Sequence, residues 1–402
     1  MIFFDKKILI VGAGFGQIPA ILKAKENGAI VYAVDKNPYA EGSKYANKFF
    51  PIDVTDEDSI VKLAQKEKID FAFTMQSDHG IKSVAKVNQI LGIEAFSYET
   101  AIICSNKIQF RNCLKGFDIS QPKFKIVYSY EECLKATEEF GFPVMIKCPD
   151  SSGSRGISKA KSSEEVGIAF NEALNFSLIK NGVIVEEYIE GFEFGAQTMS
   201  INGKCSLVFF HNDEMSKGSN LVPIGHSFPF KNTQKINLSA AEKTIKSAVD
   251  SIGIINGPAN VDVIYDINSR KIKIIEIGAR IGATCLPELT SIHTGIDWVI
   301  YSMLVALKSI NLDDLKIDRN PCLARILYSN QTGTIKSITL NKPEILEGLR
   351  EFELTVKVGD RVNKLSKGTD RIGKIVLVDE KIEIIEKTAS KFLKNFSLEI
   401  NR

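Results

Sequence analysis

Short apolar segments alternate with helix-like segments in the first 96 residues of the chain. Three runs, KILIVGAG, AIVYAVD and IDFAFT, are almost entirely apolar, and the stretches between them are long enough to form helices. Strands that are apolar on both faces are typical of a parallel sheet, because the crossover helices cover both of its faces. The sequence therefore predicts an α/β fold that begins with a small, doubly wound parallel sheet.

The remainder of the chain changes pattern twice. After residue 107 predicted strands, helices and turns mix, with one turn at Asn202–Gly203 and another at 268–270 between two apolar strand runs. The acidic segment LDDLKIDRNP then precedes a last part with short strands and a final helix. Because 402 residues exceed one ordinary domain, we predict a first domain at 1–96, a second at 97–312 and a small, β-rich α/β cap at 313–402.

Composition and charge exclude several classes of protein. Hydrophobic residues make up 44% and charged residues 25% of the chain, and the net charge of +2 provides no overall field to recruit nucleic acid or a membrane. Seven cysteines without a CxxC pair indicate a reducing compartment. The uncharged run at 8–22 follows two lysines as in a signal peptide, but its three glycines and its proline favour a folded segment. A cytoplasmic protein is therefore predicted.

The motif GAGFGQ directly after the first predicted strand has two interpretations. Glycines there allow backbone N–H groups at a helix N-terminus to face an anion, and Asp35 stands where a ribose-binding carboxylate would. However, Gln17 occupies the position of the third glycine of a dinucleotide fingerprint. A tight turn between strand and helix is the favoured interpretation. An NAD-type oxidoreductase or a nucleotide-binding regulator stays open as the alternative function.

A lysine and a loop of small residues follow the apolar strand FPVMIK. Lys147 ends this strand, and the loop at 151–156 reads SSGSRG. Backbone N–H groups, hydroxyls and a guanidinium on such a loop can surround phosphate oxygens, with the lysine as a point charge. A solvated hairpin turn is the alternative. The candidate phosphate-binding residues of the loop are Ser152, Gly153, Ser154, Arg155 and Gly156.

Two acidic residues stand inside otherwise apolar strand runs. Asp262 lies in VDVIY and Glu276 in IIEIG, and Arg280 follows shortly after. A buried carboxylate without a partner is costly, and two carboxylates completed by phosphates match the way Mg²⁺ is usually held. An internal ion pair with Arg280 is the alternative. The metal site also requires a strand register that places both carboxylates on one face.

Four segments, taken in order, resemble the ATP-grasp superfamily in the branch of the carbamoyl-phosphate synthase large subunit, phosphoribosylglycinamide synthetase and the amino-acid ligases. They are SNK with Lys107, VMIKCPDSSGSRGI, VIVEEYIEGFEF, and VDVIY followed by IIEIGARIGA. The resemblance covers essentially the whole chain. It implies a pre-ATP-grasp domain at 1–96, a two-lobed α+β ATP-grasp domain at 97–312 with a lid at about 118–187, and a small C-terminal domain.

The resemblance also implies a role for each matched residue. Lys107 and Lys147 would contact ATP phosphates under the 151–156 loop, and Arg280 would steady an acyl-phosphate, which makes Lys147 and Arg280 the expected catalytic residues. Asp262 and Glu276 would bind Mg²⁺. The adenine and ribose would contact Glu186, Glu187, Tyr188, Ile189 and Glu193. The family commonly has E-x-N-x-R where this chain has Gly278 in place of the asparagine, so both one and two Mg²⁺ ions are considered.

The implied activity is that of an ADP-forming carboxylate–amine ligase. The γ-phosphoryl group of ATP would pass to a carboxylate, and an amine would attack the resulting acyl-phosphate. Lys217 and His226, in the loop-like segment EMSKGSNLVPIGHSFP, are the candidate substrate residues. Small-molecule acids and amines are the expected partners, without nucleic acid or membrane, and a homodimer is considered. The resemblance further implies that GAGFGQ is not a dinucleotide site.

Overall fold

The computed structural model describes residues 2–151, 155–178, 180, 182–216, 222–310, 315–340 and 347–401. The chain forms two compact units that alternate along the sequence. The first unit contains Met1–Phe209, Gln234–Ala283 and Trp298–Asp313, and the second contains Phe210–Thr233, Thr284–Asp297 and Asp314–Arg402. The division into domains at 1–96, 97–312 and 313–402 stays a prediction. Among the helices in the described ranges, none is long and apolar enough to cross a membrane.

The first unit begins with the predicted parallel sheet. Its four strands, paired in the order β3-β2-β1-β4, are β1 (Lys7–Val11), β2 (Ile30–Val34), β3 (Lys48–Phe50) and β4 (Phe71–Phe73). The helices of this region are α1 (Ile18–Glu26), α2 (Glu57–Glu67) and α3 (Ile81–Ile90). Helix α2 begins where Asp56 accepts a hydrogen bond from the Ser59 amide at 3.1 Å, an N-cap that satisfies one free helix donor. The α/β fold class is confirmed.

A second, antiparallel sheet of the first unit carries the predicted loop of small residues. It follows helices α4 (Tyr98–Ser105) and α5 (Lys107–Gly116). Its strands, in the order β5-β8-β6-β7, are β5 (Phe124–Val127), β6 (Val144–Lys147), β7 (Ile157–Ala160) and β8 (Val183–Glu187), with helices α6 (Tyr130–Phe140) and α7 (Ser163–Phe176). Val144, Ile146, Val183 and Val185 pack with residues of α6 and α7 in one core. Since strand side chains alternate, Lys147 and Glu186 share the opposite face.

Longer strands follow along the chain. Their bounds, with those of the intervening helices, are β9 (Gly191–Ile201), β10 (Lys204–Met215), β11 (Pro223–Phe228), α8 (Leu238–Ile252), β12 (Gly257–Asp266), β13 (Lys271–Gly278), α9 (Leu286–Thr294) and α10 (Trp298–Ala306). In the first unit, β12 pairs antiparallel with β9 on one side and with β13 on the other. The predicted turn between β12 and β13 is present, with Arg270 at a φ of 54°.

The second unit is rich in strands. The remaining elements are β14 (Cys322–Tyr328), β15 (Gly333–Leu340), β16 (Leu349–Leu354), β17 (Arg361–Val362), β18 (Arg371–Val378), α11 (Ile382–Asn395) and β19 (Phe396–Asn401). Strands β11, β14, β18 and β16 pair in that order, and β17, β15 and β19 form a separate sheet. Ile385 and Phe392 of α11 pack into the core of this unit.

Candidate active site

The two predicted metal ligands lie directly opposite each other in the β12–β13 ladder. Asp262 and Glu276 are register partners, so their side chains emerge on the same face. Two side-chain amides fix the orientation of Asp262. Asn260 Nδ2 donates to Asp262 Oδ1 at 2.8 Å, and Gln197 Nε2 donates to Asn260 Oδ1 at 2.5 Å. Gln197 is itself held by the Gly282 amide at 3.0 Å. The register that a shared metal site requires is therefore present, and a buried amide chain positions one of its carboxylates.

Lys107 brings a positive charge to this ladder from the start of α5. Its Nζ lies 3.9 Å from Glu276 Oε1 and donates to the Ser151 carbonyl at 2.7 Å. Its backbone amide donates to the Pro149 carbonyl, also at 2.7 Å. Lys107 thus joins the base of the 151–156 loop to one of the two predicted metal ligands.

Lys147 is held by a buried cluster of three charged side chains. Glu186 is 1% exposed, and its carboxylate contacts Lys147 Nζ and Arg111 Nε, each at 2.6 Å. The two remaining guanidinium nitrogens of Arg111 donate to the carbonyls of Ile274 and Ile275 on β13, each at 3.0 Å. Sequence analysis missed Arg111, although it lies one helical turn after Lys107 on α5.

Electrostatics keeps the Glu186 carboxylate ionised. Burial raises the pKa of Glu186, but the charges of Arg111 and Lys147 outweigh it and hold that pKa at about 2. Glu186 therefore stays an anion at neutral pH and fixes the ammonium group of Lys147 at the end of β6. Its carboxylate is committed to these cations, so only the backbone of Glu186 remains for the predicted contact with adenine.

The loop of small residues is described at its two ends. Ser152, Gly153 and Ser154 lie outside the described residues. Gly156 closes the loop at a φ of +62°, and a Cβ there would come within 2.9 Å of the Cβ atoms of Cys148 and Phe176, so a larger residue does not fit. Arg155 Nη2 lies 3.5 Å from His79 Nε2.

The segment predicted to contact adenine and ribose combines buried and accessible residues. Glu187 Oε1 accepts from Lys273 Nζ at 2.6 Å, which fixes the end of β8. Tyr188 is 40% exposed, whereas Ile189 is buried. Glu193 is exposed near the start of β9. The roles of these residues stay predictions.

Arg280 forms an ion pair that sequence analysis did not foresee. Its Nη2 donates to Asp78 Oδ2 at 2.9 Å, across 202 residues of sequence, and both side chains are more than four-fifths buried. Burial lowers the pKa of Arg280, but Asp78, and more weakly Asp262 and Glu276, outweigh this and keep that pKa raised. The alternative considered from sequence would pair Arg280 with Asp262 or Glu276, whereas the ion pair that the structure describes joins Arg280 to Asp78. Asp262 and Glu276 contribute to the field around the guanidinium.

His226 lies in the second unit, in a cluster with a second histidine. His226 Nδ1 and His211 Nδ1 lie 2.7 and 2.8 Å from the same oxygen, Oδ1 of Asp213. Burial lowers the pKa of His226 despite Asp213, so its imidazole is neutral at pH 7. The three side chains are close enough to hold a metal ion, but both Nδ1 atoms lie at hydrogen-bonding distance from one carboxylate oxygen. Lys217 lies outside the described residues.

The GAGFGQ motif forms a turn between β1 and α1. Asp35, the candidate ribose ligand, accepts a hydrogen bond from the Ala13 amide at 3.0 Å. Gln17 is buried, donates through Nε2 to the Met75 carbonyl and accepts from the Met75 amide at 3.2 Å. Asp35, which a dinucleotide site would use for ribose, and Gln17, which stands in place of its third glycine, both form hydrogen bonds within the protein. These bonds favour the tight-turn interpretation.

Fixed cations combined with paired carboxylates suit an enzyme that binds ATP together with a divalent cation. Comparison with known protein families also indicates an ATP-binding enzyme. The model described as carbamoyl-phosphate synthase L chain, ATP binding domain, matches residues 106–314. Because this match covers more than half of the chain, the chain belongs to that family. A second model, L-amino acid ligase C-terminal domain 2, matches residues 325–401.

Individual proteins resemble the chain over nearly its full length. A formate-dependent phosphoribosylglycinamide formyltransferase of Prochlorococcus marinus subsp. pastoris is 25% identical over 97% of this chain and 96% of its own. The structure of phosphoribosylglycinamide synthetase from Anaerococcus prevotii is 27% identical, with a TM-score of 0.81 over 99% of this chain and 100% of its own. That of an L-amino acid ligase from Bacillus licheniformis has the same fold, at 18% identity and a TM-score of 0.82 over the same shares.

These matches decide between the two functions considered from sequence. The predicted ATP-grasp family, the fold class and an ATP-grasp ligase that uses ATP and Mg²⁺ are confirmed. None of the matches reported above supports the NAD-type alternative.

Proposed function

We propose that the chain joins a small carboxylate to an amine, forming ADP through an acyl-phosphate intermediate. The observation that carries this proposal is the Asp262–Glu276 register pair, with Arg280 in the field of both carboxylates. Paired carboxylates suit a divalent cation on ATP phosphates, whereas a buried guanidinium suits the anionic acid and its phosphorylated form. The named relatives, a phosphoribosylglycinamide formyltransferase, a phosphoribosylglycinamide synthetase and an L-amino acid ligase, support an amine as the second substrate.

The first unit supplies the groups that would bind ATP. Lys147, fixed by Glu186, would neutralise phosphate charge, with Lys107 contributing from α5. The backbone of 186–189 would contact adenine and Glu193 the ribose, while the 151–156 loop would cover the phosphates and exclude water that would hydrolyse the intermediate.

The β12–β13 ladder fits Mg²⁺ because it offers two hard oxygen ligands on one face. Asp262 and Glu276 would hold the ion, and the amide chain behind Asp262 fixes the direction of its carboxylate. When bound, Mg²⁺ supplies positive charge that stabilises the transferring phosphoryl group. Gly278 offers no side-chain oxygen, so water or phosphate would complete the shell, and the number of ions stays open between one and two.

Arg280 would bind the carboxylate that is activated and neutralise the charge that develops on its acyl-phosphate. Its orientation is set by Asp78. His226 and Lys217 are proposed to contact substrate. The partners are small-molecule acids and amines; a homodimer and a cytoplasmic location are part of the proposal.

The activity can be tested before the amine is known. The purified chain is incubated with ATP, Mg²⁺, hydroxylamine and a panel of carboxylic acids, because hydroxylamine attacks an acyl-phosphate, releases phosphate and leaves a hydroxamate. We expect acid-dependent ADP and hydroxamate in equal amounts, and neither from an Asp262→Asn variant. ADP release without any acid dependence, or stabilisation of the protein by NADH instead of by ATP with Mg²⁺, would contradict the proposal.

Lys147→Ala is expected to weaken ATP binding by about ten- to a hundred-fold, since a hydrogen bond to a charged group contributes roughly 1.5–3 kcal/mol. Glu186 keeps Arg111 as its partner in this variant, so the fold should survive. The measurement is the rise in melting temperature with ATP and Mg²⁺. Lys125→Ala is the matched control, because Lys125 lies on the same sheet but pairs with the exposed Glu139. Lys107→Ala should show a smaller loss. An unchanged ATP affinity in Lys147→Ala would remove Lys147 from the phosphate site.

A further inference from the structure

The Asp78–Arg280 pair leaves part of each partner unused. One hydrogen bond, from Nη2 to Oδ2, joins the two side chains. Asp78 Oδ1 and Arg280 Nε and Nη1 are buried, and no described residue gives them a hydrogen-bond partner. Buried charged groups without partners are costly, and bidentate pairing is the usual geometry of Arg with a carboxylate. The pair is therefore set up to receive a third group that both donates and accepts.

The unused atoms lie on the face that carries the predicted metal ligands. Positions 276 and 278 of β13 are two residues apart, so their side chains point to the same face. Position 278 is glycine, and a Cβ there would lie 2.9 Å from Arg280 Cζ and 3.0 Å from Asp78 Oδ1. The space beside Glu276 is thus occupied by the guanidinium and by the free carboxylate oxygen.

A ligand that satisfies both partners carries an anion and a cation close together. Its carboxylate would accept from Arg280, and an ammonium group next to it would donate to Asp78 Oδ1. We propose that Asp78 is a specificity-determining residue that recognises the ammonium group of the acid to be activated, so that this acid is a 2-amino acid and not a simple carboxylic acid. This inference rests on the proposed function and names the substrate class of the same site.

The matched probes are amino acids and the same acids without the amino group. Glycine, L-alanine, L-leucine, L-phenylalanine and L-aspartate are compared with acetate, propanoate, 4-methylpentanoate, 3-phenylpropanoate and succinate in the hydroxylamine assay. We expect at least one amino acid to exceed its partner by ten-fold or more in kcat/KM. If no amino acid exceeds its partner, the inference is wrong.

Asp78→Asn separates recognition of the ammonium from a structural role. The amide oxygen can still accept from Arg280, but the NH₂ group that replaces Oδ1 cannot accept from an ammonium. The variant should lose at least ten-fold more in kcat/KM for the preferred amino acid, mainly through KM, than for its deamino partner, because any effect on the orientation of Arg280 is common to both acids. Asp58→Asn is the control, since Asp58 pairs with Lys86 at 2.7 Å in the same region of the first unit.

Asp78 Oδ1 could also bind a metal ion instead of an ammonium group. A titration with Mn²⁺ and a non-hydrolysable ATP analogue tests this. Asp78→Asn should bind Mn²⁺ and the analogue as the parent protein does, which also reports that it is folded. A weaker Mn²⁺ affinity would make Asp78 a metal ligand, and an equal loss for both acids of each pair would make it only structural; either result overturns the inference. Loss of nucleotide binding by the parent protein would instead contradict the proposed function.

Discussion

Glu276→Gln is expected to lower the rate of ADP formation by about two to three orders of magnitude, the usual scale for removing one electrostatic contact to a transferring group. The substitution removes one of two carboxylates that face each other across β12 and β13 and leaves the shape of the site nearly unchanged. Lys107 Nζ lies 3.9 Å from the Glu276 carboxylate and also donates to the Ser151 carbonyl, so the fold should not depend on the charge of Glu276. The measurements are ADP release and the affinity for Mn²⁺ in the presence of nucleotide.

Glu242→Gln provides the matched control for this variant, because Glu242 pairs with Lys246 on the surface of α8. The control should retain full activity. Binding of ATP without metal should persist in Glu276→Gln, whereas binding of ATP and of Mn²⁺ should no longer reinforce each other. A fully active Glu276→Gln enzyme, or Mn²⁺ binding that is unchanged, would remove the metal site from β13.

Glu186→Ala is expected to destabilise the protein by about 3–5 kcal/mol, the typical loss when one partner of a buried ion pair is removed. Lys147 and Arg111 would then face each other without a shared anion in a site where Glu186 is 1% exposed. Urea unfolding measures the free energy of unfolding. Glu139→Ala, which breaks only the exposed pair with Lys125, should cost about 0–1 kcal/mol.

The same cluster predicts a pH dependence. The pKa of Glu186 is about 2 in the folded chain and 4.5 for the ordinary side chain, so its contribution to stability is present above about pH 4.5 and is lost as the pH falls towards 2. Comparing the parent protein with Glu186→Gln between these pH values isolates this contribution, since the variant has no carboxyl group to titrate there. Equal stability of Glu186→Ala and the parent protein at pH 7 would contradict the role given to the cluster.

The local pattern of apolar residues and turns in the sequence was sufficient to predict much of the fold. The apolar runs located three strands of the parallel sheet, β1, β2 and β4, but not the short strand β3. The apolar context of Asp262 and Glu276 located the ladder that carries them. The turn at 268–270 allowed the register that places the two carboxylates opposite each other but did not require it. The final strand β19 was missed, because it follows α11 without a turn signal and is stabilised by pairing with β15.

The parts of the site that escaped prediction depend on contacts between distant residues. Arg111 and Glu186 are 75 residues apart, and Asp78 and Arg280 are 202 apart. The local sequence around either partner does not predict such a pairing. Gly278 was recognised only as a missing oxygen, whereas the structure shows that its lack of a side chain makes room for Arg280 and Asp78.

The alternation of the two compact units along the chain limits how such a protein can be rearranged at the level of its gene. The units change after Phe209, Thr233, Ala283, Asp297 and Asp313. A stop codon at residue 314 would remove β14, one of the strands that pair with β11 inside the second unit. Neither unit therefore corresponds to one continuous coding segment, and a single recombination event cannot exchange either of them between related genes.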